Sequence, residues 1–314
     1  MKMLVTGGAG FIGSNFINYW LSRHKDDTIV NVDKITYAAN PDHVKHEQFD
    51  RRYRLVKGDV TDSDLVDLLV RESDCVVNFA AESHVDNSIA SPRPFLSSNY
   101  MGVFTILEAV RKYGIRFHQI STDEVFGSLP ADSRVLFNER TAYSPRNPYS
   151  ASKAAADLLV RAYVNTYGIK ATISNCSNNF GPNQHIEKLI PKTIMLASRD
   201  QKIPLYGNGN QIRDWIYVED HCSAIESVLL KGNMGETYLV SARNELRNVD
   251  VVKKILAIMG KSDSLIEYVD DRPGHDVRYA IDPRKIETEL RWKPKFDFDK
   301  ALELTVRHYT ANKR

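Results

Sequence analysis

The chain has 314 residues, with 42 Lys and Arg against 40 Asp and Glu, a formal charge of +2 and 42% hydrophobic residues. That length suits two domains or one large α/β unit, and the balanced charge, without a run of five like charges, argues against a nucleic-acid partner or a disordered tail. Three scattered cysteines, Cys75, Cys176 and Cys222, offer no C-x-x-C spacing, so no disulfide framework, metal site or redox pair is expected and a reducing, cytoplasmic setting is.

The first element could be mistaken for an export signal, because residues 3–22 carry no charge and follow Lys2. Gly7, Gly8, Gly10, Gly13, Asn15 and Asn18 interrupt it, however, leaving no continuous apolar core of the kind an export or membrane segment needs. Strand, glycine turn, helix is the better reading, so no membrane is expected as a partner. Met3-Leu4-Val5 forms the strand, and Ile12, Phe16, Ile17, Trp20 and Leu21 form the helical stripe. Strands at 29–32 and 53–56 follow, then a helix from about residue 62, a strand over 75–81, a long helix over 95–113 and a strand over 117–121. A helix over 150–167 then leads into a strand over 171–176. This βαβ rhythm predicts a Rossmann-type, doubly wound parallel sheet with both faces covered.

After Cys176 the turns Gly181-Pro182-Asn183, Gly207-Asn208-Gly209-Asn210 and Arg272-Pro273-Gly274 are widely spaced. Helices remain visible at about 218–231, 248–259 and 299–309. The reading is a sheet domain over 1–176 and a smaller mixed α/β lobe over 177–314, with part of 211–240 packing back on the first domain. In such sheets ligands bind beyond the carboxyl ends of the strands, so motifs just after strands carry the most weight.

The first such motif has glycines at 7, 10 and 13 between the first strand and helix. Glycine permits the tight turn and lets the backbone approach a pyrophosphate at the helix N-terminus. Asp33 ends the second strand twenty residues after Gly13, where a carboxylate binds both adenosine ribose hydroxyls and disfavours a 2′-phosphate. A dinucleotide site is therefore expected, with NAD favoured over NADP even though Lys34 stands next door.

Three Tyr–Lys pairs have the four-residue spacing that places both on one helical face: Tyr53/Lys57, Tyr149/Lys153 and Tyr309/Lys313. The first lies on a predicted strand and the last at the fraying C-terminal end. Tyr149 alone belongs to a helix that opens on the expected cleft, after a strand ending in Ser121-Thr122-Asp123-Glu124. A nearby ammonium is expected to lower its pKa and make it a base for hydride transfer. Asp123 and Glu124, crowded at the sheet edge, suit one acid and one base, although the same position also suits an N-terminal cap.

These residues resemble the extended short-chain dehydrogenase/reductases, and among them the dTDP-glucose 4,6-dehydratases. The resemblance spans nearly the whole chain: TGGAGFIGSNF at 6–16, VDKITYAAN at 32–40, NFAAESHVD at 78–86, STDEVFG at 121–127, NPYSASKAAAD at 147–157, CSNNFGP at 176–182, QIRDWIYVEDH at 211–221 and DRPGHDVRYAID at 271–282. Thr122-Asp123-Glu124 is the most specific part, since sugar-nucleotide 4-epimerases carry small residues at the two acidic positions. The resemblance implies oxidation at C4 of a nucleotide-linked glucose, elimination of water across C5 and C6, and return of hydride to C6. Tyr149 would take the C4 hydroxyl proton with Thr122 bonding the same oxygen, Lys153 would hold the nicotinamide ribose, Glu124 would be the C5 base and Asp123 the acid at C6.

It also implies cofactor contacts at Phe11, Ile12, Asp33, Lys34, Thr36, Asp59, Val60, Ala80, Ala81, Ser98, Tyr149, Lys153 and Asn179. Substrate contacts would fall on His84, Thr122, Asn178, Lys188, Leu189, Pro204, Tyr206, Arg213, Asn248, Arg272, His275 and Tyr279, with Arg213 and Arg272 suiting a diphosphate by their fork geometry. Phe126, Phe180 and the stretch Asn183-Gln184-His185-Ile186 depart from the family pattern without touching the proton-transfer set. A homodimer through the helices that begin near Phe95 and Ser150 is implied as well. The competing readings are a 4-epimerase, a decarboxylase or a 4,6-dehydratase acting on another nucleotide sugar. A non-catalytic NAD-binding regulator would be expected to lack Tyr149, Lys153 or the carboxylates, all of which are present.

Overall fold

The computed structural model describes residues 1–44 and 49–311. The first strands are β1 (Lys2–Thr6), β2 (Thr28–Asp33), β3 (Tyr53–Lys57), β4 (Cys75–Asn78), β5 (Arg116–Thr122) and β6 (Ala171–Cys176). They are followed by β7 (Asn178–Phe180), β8 (Ile203–Tyr206), β9 (Ile212–Tyr217), β10 (Thr237–Val240), β11 (Glu245–Arg247) and β12 (Ile266–Val269). The main sheet has seven strands in the order β10-β6-β5-β4-β1-β2-β3, every pair parallel. The order reverses direction beside β1, which opens a crevice at the carboxyl ends of β1 and β4.

Helices cover both faces because the strands are apolar on both. Along β1 and β4, Leu4 and Val76 point to one core, while Met3, Val5, Cys75 and Val77 point to the other, the two-residue period of a strand. The first core is closed by α2 (Ser63–Arg71), α4 (Gly102–Tyr113) and α5 (Pro148–Tyr167), through Leu69, Ile106, Leu107 and Val160. The short α3 (Val85–Ala90) precedes α4. The second core is closed by α1 (Phe11–Arg23) and α7 (Val218–Lys231), through Phe16, Trp20, Cys222 and Ile225. Between these elements lies α6 (Leu189–Ala197), which joins α8 (Asn248–Ile258) and α9 (Phe298–Ala311) in a third core around Phe180 and Trp215. Two small sheets, β11-β9-β7 and β12-β8, complete this part.

Two expected elements differ in their ends. The strand predicted over 75–81 stops at Asn78, whose side chain is occupied by Thr6 and, at 2.8 Å, by Gln119, so residues 79–81 leave the sheet and line the crevice. The helix predicted over 95–113 starts at Arg93 and is π-helical over Leu96–Met101 before α4. There the buried Asn99 accepts from the Glu82 N–H at 2.8 Å and donates to Glu82 O and Ser152 Oγ at 3.0 and 2.8 Å. Three side-chain bonds at one residue hold the widened turn against the loop after β4, a common place for such bulges.

Trp20 shows how tightly the second face is built: it is fully buried, donates from Nε1 to Asp27 Oδ2 at 2.9 Å and stacks on His24. Replacing Trp20 by Ala should cost about 3–5 kcal/mol of stability, a cavity-forming loss measurable as a lower urea midpoint.

Candidate active site

The turn after β1 is shaped for close approach. Gly7 has φ +70°, and a Cβ there would lie 2.5 Å from the Ala80 nitrogen; at Gly13 a Cβ would lie 2.5 Å from the Gly7 carbonyl. The N-cap of α1 is Gly10, with no side chain over the first N–H groups, so those donors face the crevice and favour an anion. Asp33, at the end of β2, is held by two backbone donors, Ala9 N–H at 2.9 Å and Ile35 N–H at 2.8 Å. Burial pushes its pKa up while these two bonds oppose the rise. The remaining lone pairs suit a pair of vicinal hydroxyls. Lys34, next to Asp33, is paired with Asp59 at 2.7 Å, so its charge is already engaged by a carboxylate. This set of features fits a dinucleotide without a 2′-phosphate.

A cavity of about 310 Å³ runs from this turn to the end of β5, at the lower end of the size of known ligand pockets, roughly 300–1,000 Å³. It is lined by every residue expected to touch the cofactor: Gly7, Gly10, Phe11, Ile12, Gly13, Asp33, Lys34, Thr36, Asp59, Val60, Ala80, Ala81, Ser98, Tyr149, Lys153 and Asn179. A second cavity of about 440 Å³ is lined by His84, Asn178, Lys188, Leu189, Pro204, Tyr206, Arg213, Asn248, Arg272, His275 and Tyr279. The two share Ser83, Glu124, Asn178, Asn179, Gln184, Glu187 and Lys188. Thr122, expected to touch the substrate, lines the first cavity rather than the second. Among the described residues no three His, Cys, Asp or Glu side chains converge as metal ligands.

The acidic pair sits at the junction. Strand alternation would send neighbours to opposite faces, but β5 ends at Thr122 and Asp123–Phe126 form a single 3₁₀ turn. Thr122 Oγ1 caps that turn by accepting from the Glu124 N–H at 3.3 Å, so the position serves as a cap as well as a site. Both carboxyl groups consequently reach the first cavity. Asp123 is almost fully buried, and its Oδ2 has no hydrogen-bond partner. Burial, then the neighbouring charges of Glu124 and Asp214, push its pKa well up, which favours its protonated form. Burial raises Glu124 too, but Arg213, Lys188 and a 3.2 Å bond from Ser150 Oγ pull against that rise. The pair is therefore asymmetric, with Glu124 more readily ionised than Asp123.

Asn147 caps α5 by accepting from the Ser150 N–H at 2.9 Å, with Pro148 in the first turn. That start aims Tyr149 at the carboxylates and places Lys153 one turn deeper, donating to the Ile120 carbonyl at 2.7 Å. The expected lowering of the Tyr149 pKa is not what this geometry gives. Burial first, and then the charge of Glu124, push it well above the usual phenol range, and only Thr122 acts the other way. Lys153 is itself held low by burial, and its ammonium is turned to a backbone carbonyl, so it does not offset the acidic neighbours of the phenol.

Of the other two Tyr–Lys pairs, Tyr53 lies on β3 and accepts from Asn31 Nδ2 at 3.0 Å. Tyr309 donates to the Gln184 carbonyl at 2.6 Å, and its partner Lys313 lies outside the described residues. In the second cavity Arg213 is buried beneath the Tyr279 ring, 4.2 Å from its centroid, and donates to Ile212 O and Asp276 O at 2.8 and 3.0 Å. Arg272 lies over the Tyr206 ring and 3.4 Å from Asp86. Asp86 was absent from the expected set, and nothing in its spacing marks it: it is brought there by α3. Asn99 and Asp157 were likewise missed, although Asp157 continues the four-residue series of Tyr149 and Lys153.

Comparison with known proteins agrees with this geometry. Residues 4–305 match the family described as GDP-mannose 4,6 dehydratase. The chain is 50% identical over 313 residues to a dTDP-glucose 4,6-dehydratase of Mycobacterium tuberculosis, covering 99% of this chain and 94% of the relative. Among solved structures, the dTDP-glucose 4,6-dehydratase of Streptomyces venezuelae superposes with a TM-score of 0.96 at 41% identity, covering 100% of this chain and 98% of that one. The Bacillus anthracis enzyme of the same name, solved in complex with NAD, gives 0.93 at 45% identity, covering 100% and 97%. With a glycine turn, an acidic strand end and a Thr-Asp-Glu turn facing Tyr149, matched end to end by such relatives, the chain belongs to the nucleotide-sugar 4,6-dehydratase family.

Proposed function

We infer that this chain is a dTDP-glucose 4,6-dehydratase, a hydro-lyase that uses NAD and converts dTDP-glucose to dTDP-4-keto-6-deoxyglucose and water. The observation that carries this reading is the asymmetric pair Asp123 and Glu124 beside Tyr149, since oxidation at C4 needs one base while elimination needs a further base and an acid. A 4-epimerase has no work for that pair. NAD, when bound along the glycine turn, Asp33 and Lys153, accepts the hydride from C4, returns it to C6 and brings a positive ring that favours the Tyr149 phenolate.

The residues then divide the proton transfers. Thr122 Oγ1 holds the C4 oxygen while the Tyr149 oxygen takes its proton. The resulting ketone acidifies the adjacent C5 hydrogen, which Glu124 removes. Asp123, kept protonated by burial, gives its proton to the C6 hydroxyl, which leaves as water. Arg213 and Arg272 hold the diphosphate, and Lys188, shared by both cavities, keeps Glu124 ionisable. The product is a precursor of deoxysugars such as rhamnose.

The surface supports a homodimer. Leu96, Met101 and Phe104 on the approach to and first turn of α4, and Leu158 on the adjoining α5, are exposed, and a second copy would cover them. No helix among the described residues is long and apolar enough to cross a membrane, which is compatible with a cytoplasmic enzyme.

Incubated with dTDP-glucose and no added cofactor, the purified protein should yield a product lighter by one water, with a new C6 methyl signal in its NMR spectrum; a product that keeps its C6 oxygen would instead indicate an epimerase. Glu124→Gln should abolish release of water while C4 oxidation persists, seen as accumulated reduced cofactor absorbance, and normal turnover would remove Glu124 from its role. Asp33→Ala should weaken NAD binding by about tenfold or more, as loss of a charged hydrogen-bond acceptor does, and narrow the preference for NAD over NADP in a binding titration. Light scattering at micromolar concentration should give the mass of a dimer, which a monomeric mass would contradict.

A further inference from the structure

Asp157 lies two turns beyond Tyr149 and one turn beyond Lys153 on α5, fully buried and behind the site, lining neither cavity. Its Oδ2 accepts three hydrogen bonds, from Ser121 Oγ at 2.6 Å, Tyr143 Oη at 3.1 Å and Asn175 Nδ2 at 3.1 Å. Burial pushes the Asp157 pKa up, while Lys153 and these three donors pull against the rise and favour the ionised form. Its Oδ1 is buried without a hydrogen-bond partner.

Those bonds converge on the end of β5. Lys153 holds the Ile120 carbonyl, Asp157 holds the Ser121 hydroxyl, and the Asn175 amide that bonds Asp157 also donates to the Thr122 carbonyl at 3.1 Å. Three consecutive residues are thus tied to α5 immediately before the turn that carries Asp123 and Glu124. Tyr143 extends the link to the far end of that turn, since its ring packs edge-on against Phe126 at 5.2 Å and its hydroxyl accepts from Arg161, one helical turn past Asp157, at 2.8 Å.

We propose that Asp157 is a positioning residue: one buried carboxylate that holds the Thr122-Asp123-Glu124 turn in register with the Tyr149 and Lys153 face of α5 and supplies the counter-charge for Lys153. The groups acting on the Lys153 charge are Asp157 on its own helix and Cys176 at the end of β6, and burial pushes the Cys176 thiol to about 12, so it is neutral. This inference rests on the dehydratase reading above.

The test compares the wild-type enzyme, Asp157→Asn and Tyr143→Phe on dTDP-glucose, recording kcat, KM, the pH profile of kcat and the melting temperature. Asp157→Asn should lower kcat about 10- to 100-fold, the scale of a small misplacement of catalytic groups, with KM changed less than about twofold. Because it removes the anion facing Lys153, the alkaline limb of its profile should move to lower pH. Tyr143→Phe removes the bond to Asp157 and the one from Arg161 without changing the charge of either, so kcat should fall while the limb stays, and it keeps the proposal testable should Asp157→Asn not fold. The proposal is overturned if Asp157→Asn keeps wild-type kcat and profile, or if losses in both variants follow the melting temperature with no change in limb position. Absence of dehydration by the wild-type enzyme would instead overturn the dehydratase reading, and the proposal with it.

Discussion

The site depends on how β5 stops. A strand that simply continued would turn Asp123 and Glu124 to opposite faces of the sheet, one into each core. The Thr122 cap starts a 3₁₀ turn instead, and Gly127, at φ +86° with the Ser144 carbonyl 2.4 Å from where a Cβ would be, ends it after one turn. Four residues of irregular backbone thus convert a strand end into two carboxyl groups on one wall. The neighbouring strands supply the rest, because parallel strands end together and the helices that follow them start at the same edge.

Burial then sets the chemistry, at a cost in stability. Asp123, Asp157 and Asp214 all have raised pKa values, chiefly through burial, and Asp214 reaches about 7 while accepting from Ser241 and the Asn244 N–H. Between the ordinary carboxylate range and about 7 the folded chain keeps a proton on Asp214 that the unfolded chain has released, so this group's contribution to stability falls as pH rises through that window. The fold tolerates such groups because most carry donors on at least one oxygen.

Much of this was legible in the order of residues, and the legible part is local. The glycine turn, the acid twenty residues on and a phenol and ammonium one helical turn apart are short-range patterns with one physical meaning each, and the structure brings their members to one crevice. What failed was long-range. The Tyr149 pKa was misjudged because Lys153 is near in sequence, whereas burial, the larger effect, and Glu124, from the turn after β5, act in the opposite sense. Asn99, Asp86 and Asp157 matter through partners 14 to 186 residues away, and no spacing rule points to those. The small sheets β11-β9-β7 and β12-β8 were invisible for a related reason, since strands of three to six residues carry too little periodicity to separate from turns.

The last strand of the main sheet has a consequence for how the chain is made. β6 finishes at Cys176, yet its outer edge is paired only by β10, which begins at Thr237 after β7, β8, β9 and α7 have been laid down. Until residue 240 has left the ribosome, a strand that is fully buried in the finished fold offers an open row of backbone donors and acceptors next to the Thr122-Asp123-Glu124 turn, the surface on which chains pair with each other. The β6 edge therefore closes only when β10 arrives, so the chain must complete the whole stretch between residues 176 and 237 before its main sheet is finished.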